Sequence, residues 1–368
     1  MRARFGSLAG VDEQAWKRLV PDDDPFLQFA FLHALEKSGS TTPETGWAPF
    51  HLTLEQADGS LAGASPVYVK AHSHGEFVYD WRWAAAYEQA GGRYYPKLFV
   101  GPPFTPATGP RLLGPAAERL VPALREVLDQ GDFSSIHVGC VDAGDRSRFE
   151  AAGFVSRALW QYHWHNHGYR DFDDFLDALK RKRRKTIRQE RRRLARTGWT
   201  FQRVPGSAAE PEDWHFMHRL YHKTFLEKGN WPTLNQDFFA RLEQDLGRFV
   251  HFVFAELDGR RVAGALFFRS AQALYGRYWG ALEDHKFLHF ETCYYQGIEL
   301  ALELGLSRFE PGAQGTHKIP RGFEPAEVYC SHYFRDPGLH RAVADSLAAE
   351  SVYHREEGRR LAELSAFP

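Results

Sequence analysis

The stretch from His289 to Phe323 reads HFETCYYQGIELALELGLSRFEPGAQGTHKIPRGF, and the rest of the chain can be organised around it. Its first half repeats apolar residues at three- to four-residue spacing, which predicts an amphipathic helix. Gly305 is a natural C-terminal stop for that helix, and the residues from Leu306 to Phe309 predict a short strand. The sequence therefore indicates a helix and then a strand that ends in a polar loop.

The loop after this strand groups the side chains that a polar ligand would need. It contains one acid, one amide, one imidazole and two cations: Glu310, Gln314, His317, Lys318 and Arg321. Glycines between them allow the backbone to approach a ligand closely. We expect Glu310 or His317 to accept a proton, and Lys318 and Arg321 to bind phosphate or carboxylate, with Gln314 beside them. The alternative is a structural salt bridge between Glu310 and Arg321 or Lys318.

Composition describes an ordinary globular chain of 368 residues, 43% hydrophobic and 25% charged. The formal net charge of −1 gives no overall positive field that would attract DNA. The three cysteines (Cys140, Cys293 and Cys330) form neither a disulfide framework nor a paired metal motif. The N-terminus lacks the apolar core of a signal peptide, and no apolar run is long enough to cross a bilayer. We therefore expect a cytoplasmic protein without a transmembrane segment.

Two similar hairpin signals divide the chain. DGSLAGA begins at Asp58 and DGRRVAGA begins at Asp258, each between two strand-like runs. The repeat predicts two α/β halves, which we assign to residues 1–168 and 169–368. The first half should also contain a third strand from Phe77 to Trp83 and a stiff, proline-rich loop from Gly101 to Pro110.

A strongly basic segment opens the second half. Asp171 is a candidate N-cap, and the apolar spacing predicts one helix that continues to Leu194. Its basic side chains have two interpretations. Arg183, Arg184 and Arg188 bind a phosphate-bearing substrate, or the run is a solvated face. QYHWHNH places three histidines on one face of a strand, but no further ligand has telling spacing, so no metal is expected.

Several phrases resemble a known bacterial family. FEPGAQGTHKIPRGF, preceded by FETCYYQGIELALELGL, is similar to proteins related to the Fem aminoacyltransferases, as are YYPKLFVGPPFTPATGPRLL and LKRKRRKTIRQERRR. That family belongs to the GNAT acyltransferase superfamily and is labelled as concerned with peptidoglycan biosynthesis or recognition. The resemblance covers nearly the whole chain. It implies an α/β fold of tandem GNAT-like domains, with mixed sheets around a shared cleft.

The resemblance also implies a reaction, the transfer of an aminoacyl or acyl group to an amine of a peptidic, small-molecule or cell-wall-type acceptor. GNAT enzymes that use acetyl-CoA grip its pyrophosphate with a glycine-rich turn, and EDHKFLH at the matching position has no glycine. This departure favours aminoacyl-tRNA over acyl-CoA as donor, with a tRNA acceptor end as partner and no tightly bound cofactor. Tyr278 and Trp279 would form the aromatic wall of the cleft, or else pack in the core.

Two other functions remain open from the sequence. One is a CoA-dependent N-acetyltransferase that acts on a small metabolite. The other is a catalytically inactive GNAT-fold protein that recognises a muropeptide or another ligand.

Overall fold

A computed structural model describes residues 1–21 and 23–368. The chain folds into two compact units. The N-terminal unit contains Met1–Leu159 and Glu327–Glu357, and the C-terminal unit contains Trp160–Ala326 and Gly358–Pro368. The division into residues 1–168 and 169–368 stays a prediction about domains, and the compact units differ from it by returning residues 327–357 to the N-terminal unit.

Both units combine strands and helices. The strands are β1 Arg2–Gly6, β2 Trp47–Pro49, β3 His51–Glu55, β4 Leu61–Ser65, β5 Val67–Lys70, β6 Lys97–Val100, β7 Ser135–Val141, β8 Val155–His165, β9 Trp199–Pro205, β10 Val250–Leu257, β11 Arg260–Arg269, β12 Ala273–Ala281, β13 Arg308–Glu310 and β14 Glu324–Phe334. The α-helices are α1 Glu13–Lys17, α2 Phe29–Lys37, α3 Trp81–Gln89, α4 Ala117–Gln130, α5 Ala143–Ala151, α6 Phe172–Ala178, α7 Arg181–Arg196, α8 Pro211–Glu227, α9 Gln236–Leu246, α10 Leu288–Phe290, α11 Gln296–Glu303 and α12 Pro337–Glu363. None of the helices in the described part of the chain combines the length and hydropathy needed to cross a bilayer.

In the N-terminal unit, β1, β3 and β4 form an antiparallel sheet. A second sheet has the order β2-β5-β6-β7-β14, in which only β6 and β7 pair in parallel. The predicted turn between β3 and β4 is present, because Gly59 takes a φ of +83° that other residues rarely adopt. Helix α4 buries Leu120 and Leu124 in an aliphatic core with the strands.

In the C-terminal unit the strand order is β8-β13-β12-β11-β10-β9. β12 and β13 are parallel, whereas β8 with β13, β12 with β11, β11 with β10 and β10 with β9 are antiparallel. Asp258 and Gly259 form the predicted turn between β10 and β11, with φ values of +51° and +74°. Ile298 and Phe309, from the predicted helix and strand, are both fully buried in the core of this unit.

Two predictions of local structure were wrong. No strand runs from Phe77 to Trp83. Phe77 and Tyr79 have φ values of +60° and +55°, outside the β region, and helix α3 begins at Trp81. The basic segment forms two helices instead of one, because the buried Leu179 is extended with a ψ of 154°. Asp171 does cap the first of them, accepting from the backbone N–H of Asp174.

The proline-rich loop of residues 101–110 is irregular, as predicted, but most of it is buried. Arg111, at its end, is 1% exposed, and its guanidinium donates to the carbonyls of Gly139, Ala107 and Cys140 at 2.7–3.0 Å. The loop is thus an internal part of the N-terminal unit, held by one buried cation.

A buried network of charges also lies inside the N-terminal unit. Lys97, on β6, donates to Glu76 at 2.7 Å and to Asp80 at 2.5 Å, and all three side chains are fully buried. Lys70 lies 3.7 Å from the second oxygen of Glu76. Lys97 and His137 hold the pKa of Asp80 far below its usual value despite burial, so this carboxylate is charged at neutral pH. Lys97 is the cation that both acids share.

Replacing Lys97 with methionine is expected to destabilise the protein by about 3 kcal/mol or more, because the buried carboxylate of Asp80 loses its cation and Glu76 keeps only Lys70. Urea denaturation measures the change. The control is Lys17→Met, which breaks only the exposed pair with Glu13 and should cost under about 1 kcal/mol. Equal effects of the two changes would contradict this account.

Candidate active site

The site begins where β12 and β13 separate. They pair only from Ala273–Tyr275 to Arg308–Glu310, whereas β12 continues to Ala281 beside β11. After Glu310 the chain turns at Pro311 and crosses close to β12, where a Cβ on Gly276 would lie 3.2 Å from the Cα of Pro311. The sheet therefore opens beyond Glu310, which leaves a gap beside the part of β12 that β13 does not pair with.

The helix that follows β12 contains an irregular turn. Phe287 precedes it with a φ of +71°, and residues Glu291–Tyr295 form a π-helical turn between α10 and α11. Such turns insert an extra residue and are frequent at functional sites. This one contains Cys293, Tyr294 and Tyr295, all of them buried. The predicted helix is present, but the sequence pattern did not indicate its π turn.

The polar loop ends in a 3₁₀ turn, Thr316–Arg321, between two glycines with positive φ. At Gly315 (φ +116°) a Cβ would lie 2.4 Å from the His317 ring, and at Gly322 (φ +88°) 2.5 Å from the Phe175 ring. Neither position accommodates a side chain without displacing its neighbour. The glycines thus fix the turn that holds His317, Lys318 and Arg321.

Lys318 is a buried cation, 2% exposed. Its Nζ donates to the carbonyl of Gly312 at 2.7 Å, which uses one of three N–H donors. Burial lowers the pKa of Lys318 to about 8, and the nearby Cys293 thiol opposes this only in part. Among the described residues, no carboxylate lies within salt-bridge distance of this ammonium. A positive charge is therefore held in the gap with its compensation incomplete.

Beside it, His317 is exposed and neutral. Its Nε2 lies 2.9 Å from the Tyr294 hydroxyl, and the ring of Phe290 is 5.9 Å away. Partial burial, with Lys318 and Arg321, lowers the pKa of His317. Burial lowers the pKa of His289, whose ring is 6.4 Å from that of His317, to about 4. Both imidazoles are neutral at pH 7, so His317 is able to accept a proton.

Arg321 ties the 3₁₀ turn to the basic helix α7. Its guanidinium donates to Glu190 of α7 and to the carbonyl of His317, both at 2.8 Å, and stacks over Phe290 at 3.4 Å. Glu190 also accepts from the Tyr295 hydroxyl at 2.5 Å. The binding role predicted for Arg321 is untested, and its observed contacts fix the position of the turn.

Glu310 does not join Lys318 or Arg321, so the predicted alternative of a salt bridge with either is wrong. It is 4% exposed, and accepts from Arg308 at 2.8 Å with His163 at 3.8 Å. The reason is local: Glu310 is the last residue of β13, so its neighbour two residues earlier lies on the same face of the strand. The exposed His317 is better placed than Glu310 to meet a substrate.

The predicted phosphate contacts of the basic helix lie apart from this site. Arg184 pairs with Asp177 at 2.7 Å, and Arg188 lies 3.3 Å from Asp173, both acids coming from α6. Arg183 is half-buried at the start of α7. Within the described chain, these arginines form their ion pairs with the acids of α6 and not with His317 or Lys318. The sequence reasoning overlooked the aspartates of α6.

Of the predicted aromatic wall, Trp279 adjoins the site and Tyr278 faces the opposite way. The ring of Trp279 is 5.2 Å from that of His289. Tyr278 packs on Tyr221 of α8 at 5.0 Å, because successive residues of a strand point to opposite faces. Gln314 is exposed on the loop. The sequence reasoning assigned no site role to Tyr294, His289 and Glu190, which the fold adds to this site.

Residues 7–368 match the family model of FemAB-like proteins, described as peptidoglycan biosynthesis/recognition. This chain belongs to the FemAB-like family. No curated protein matches it. The description of this family is general, so it assigns no reaction to the site above.

Solved structures extend the comparison. This FemAB-like protein is similar to FemX, with 13% identity over 94% of this chain and 100% of that one, and a TM-score of 0.58. It is also similar to the C-terminal domain of a putative lysylphosphatidylglycerol synthetase from Agrobacterium fabrum, with 12% identity over 92% and 96% of the two chains and a TM-score of 0.56. L-PGS from Bacillus licheniformis gives 11% identity over 92% and 98%, with a TM-score of 0.53. The predicted α/β fold with mixed sheets is confirmed. The shared cleft between the halves stays a prediction.

The burial of Lys318 has a measurable consequence. The pKa of Lys318 is about 8 in the folded protein and 10.5 in the unfolded chain. Between pH 8 and pH 10.5, folding therefore releases a proton from Lys318. The native protein therefore loses stability as pH falls from 10.5 to 8. We expect Lys318→Met to stabilise the protein by about 2 kcal/mol more at pH 7 than at pH 10. Urea denaturation at both pH values measures this, with Lys17→Met as control. A pH-independent difference would mean that Lys318 titrates normally.

Proposed function

We propose that the protein is a transferase that moves an aminoacyl or acyl group onto an amine of a peptidic or cell-wall-type acceptor. The observation that carries the proposal is the pair formed by Lys318 and His317 at the gap between β12 and β13. A buried ammonium stands beside an exposed, neutral imidazole. Acyl transfer to an amine needs a positive charge for the oxyanion and an acceptor for the amine proton.

In the proposed reaction the amine nitrogen attacks the carbonyl carbon of the donor, and a C–N bond forms. The ammonium of Lys318 stabilises the negative charge that develops on the carbonyl oxygen. His317 accepts the proton that the nitrogen loses, while the Tyr294 hydroxyl, 2.9 Å away, orients the ring. The C–O bond of an ester donor, or the C–S bond of a thioester, then breaks, and the proton passes to the leaving group.

The Glu190–Arg321 pair would keep this geometry fixed. Arg321 donates to the carbonyl of His317, and Glu190 holds Arg321 from α7. Both groups therefore act on the position of the 3₁₀ turn. Glu310 is proposed as a support for β13 through Arg308, and Trp279, with His289, as one wall for the substrate.

Aminoacyl-tRNA is the proposed donor. The turn between β12 and α10 lacks glycine and contains two acids, Glu283 and Asp284, both exposed. Glu283 is paired with Arg260, so this arginine is already engaged and is not available to a pyrophosphate. Carboxylates at the start of a helix disfavour a bound phosphate, because both are anionic.

The donor assignment is tested by calorimetry with acetyl-CoA and, separately, with a charged tRNA or its short acceptor mimic. We expect weak or absent binding of acetyl-CoA. A micromolar acetyl-CoA site, with a binding free energy of about −8 kcal/mol, would contradict this and favour a CoA-dependent N-acetyltransferase. If neither acetyl-CoA nor the charged tRNA binds, a non-catalytic recognition protein is favoured.

The catalytic assignment is tested with total aminoacylated tRNA and a muropeptide-type amine, with the product detected by mass spectrometry. Lys318→Ala and His317→Ala should each lower turnover by about a hundredfold or more, since each removes a contact made in the transition state. His317→Ala should leave stability nearly unchanged, because the side chain is exposed.

Two further variants separate catalysis from structure. Glu310→Gln should lower stability, because the buried Arg308–Glu310 pair is weakened. Lys182→Ala, an exposed lysine of α7, is the surface control. Full turnover per folded molecule in His317→Ala would show that His317 is not the proton acceptor. Full turnover in Lys318→Ala would show that Lys318 does not stabilise the oxyanion.

A further inference from the structure

A separate groove lies on a neighbouring face of α7 in the C-terminal unit. Residues 188, 191, 192 and 195 share the face that lines it, whereas Glu190 points to the 3₁₀ turn. The groove has a volume of about 450 Å³, in the range of small-molecule sites. Helices α6, α7 and α11, the π turn and strand β9 contribute to it. None of the residues assigned to the transfer reaction lines this groove.

Three aromatic side chains form its walls. Phe172 comes from α6, and Trp199 and Phe201 come from β9. Trp199 and Phe172 are largely buried, and Phe201 is half-buried. Aromatic faces of this kind stack on flat rings, such as nucleobases, with little dependence on the base. The walls therefore fit a flat, partly apolar group.

The floor of the groove consists of hydrogen-bond acceptors. Glu291, 3% exposed, and Glu299 both accept from Arg191, at 3.1 Å and 2.7 Å. Gln296 donates to Glu291 at 2.9 Å and accepts from Arg203 at 2.6 Å. Each carboxylate offers about four lone-pair sites, and these contacts do not use them all. The floor suits a ligand with N–H or O–H donors.

The rim has cations that are held weakly. The described hydrogen bond of Arg192 is with a backbone carbonyl of its own helix, that of Arg188, at 3.1 Å. Arg188 lies 3.3 Å and 3.7 Å from the exposed carboxylates of Asp173 and Asp177. Exposed pairs at these distances contribute little, so an incoming anion competes with them readily. The rim suits a phosphate.

We propose that this groove binds a nucleoside phosphate. The base stacks against Phe201, its N–H groups or the ribose hydroxyls donate to Glu291 and Glu299, and the phosphate pairs with Arg188 and Arg192. Phe172, whose ring already carries the Arg191 guanidinium at 4.6 Å, contributes the apolar wall opposite. A simple anion would meet the acidic floor, and an apolar ligand would desolvate the charges without compensation. The inference goes beyond the transfer reaction and does not require it.

This chemistry is shared by a free mononucleotide, by the adenosine end of coenzyme A and by the 3′ end of an RNA. Calorimetry with AMP, with coenzyme A and with a short RNA that ends in CCA distinguishes these sources. Inorganic phosphate and adenosine, each alone, measure the two parts of the ligand. AMP should bind more tightly than phosphate or adenosine alone, because the aromatic walls bind its base while the arginines of the rim bind its phosphate.

The double change Arg188→Ala and Arg192→Ala should weaken AMP binding by about tenfold or more. Both side chains are exposed, so folding is retained, which circular dichroism checks. Arg196→Ala, an exposed arginine of the same helix outside the groove, should not alter binding. Phe201→Ala should weaken AMP and leave phosphate binding unchanged.

Three results would overturn the proposal: no saturable binding of any nucleotide, phosphate binding as tightly as AMP, or an equal loss in Arg196→Ala. Lys318→Ala should bind AMP as the native protein does. AMP binding therefore tests the groove independently of whether the proposed transfer reaction is correct.

Discussion

The site depends on the limited pairing of β12 with β13. Two parallel strands that stay together would bury the space between them with backbone hydrogen bonds. Here the pairing stops at Glu310, because Pro311 has no N–H to continue it and Gly276 admits the chain across β12. The 3₁₀ turn follows soon after this break, with Lys318 bonded to the carbonyl of Gly312, and its side chains supply both the ammonium and the imidazole.

Buried cations in this protein are compensated to different degrees. In the N-terminal unit, Lys97 is surrounded by two carboxylates, which compensate the cost of removing it from water. Lys70 of the same unit is fully buried 3.7 Å from Glu76, and burial lowers its pKa to about 6. In the C-terminal unit, Lys318 has a carbonyl, and burial lowers its pKa to about 8. Lys318 enters the proposed reaction because the exposed His317 stands beside it.

Local patterns in the sequence were sufficient for much of the fold. Apolar spacing predicted the helix after β12, and the Asp-Gly pairs predicted both hairpins, because each signal acts within a few residues. The π turn and the break at Leu179 depend on tertiary packing, which no short window contains. For the same reason the loop residues were identified as a group, while their partners were not. Arg321 meets Glu190, 131 positions earlier in the chain, and Glu310 meets its own neighbour on β13.

The return of residues 327–357 to the N-terminal unit has a consequence for biosynthesis. Strand β14 pairs with β7, and His332 contacts His137 across that pair at 2.7 Å inside the core. A ribosome releases the chain from its N-terminus, so the first half emerges with one edge of its sheet unpaired. That edge stays open until translation has passed the whole of the second unit's main segment. The nascent protein must therefore keep an exposed strand from aggregating while Trp160–Ala326 is synthesised, and the first core is completed only afterwards.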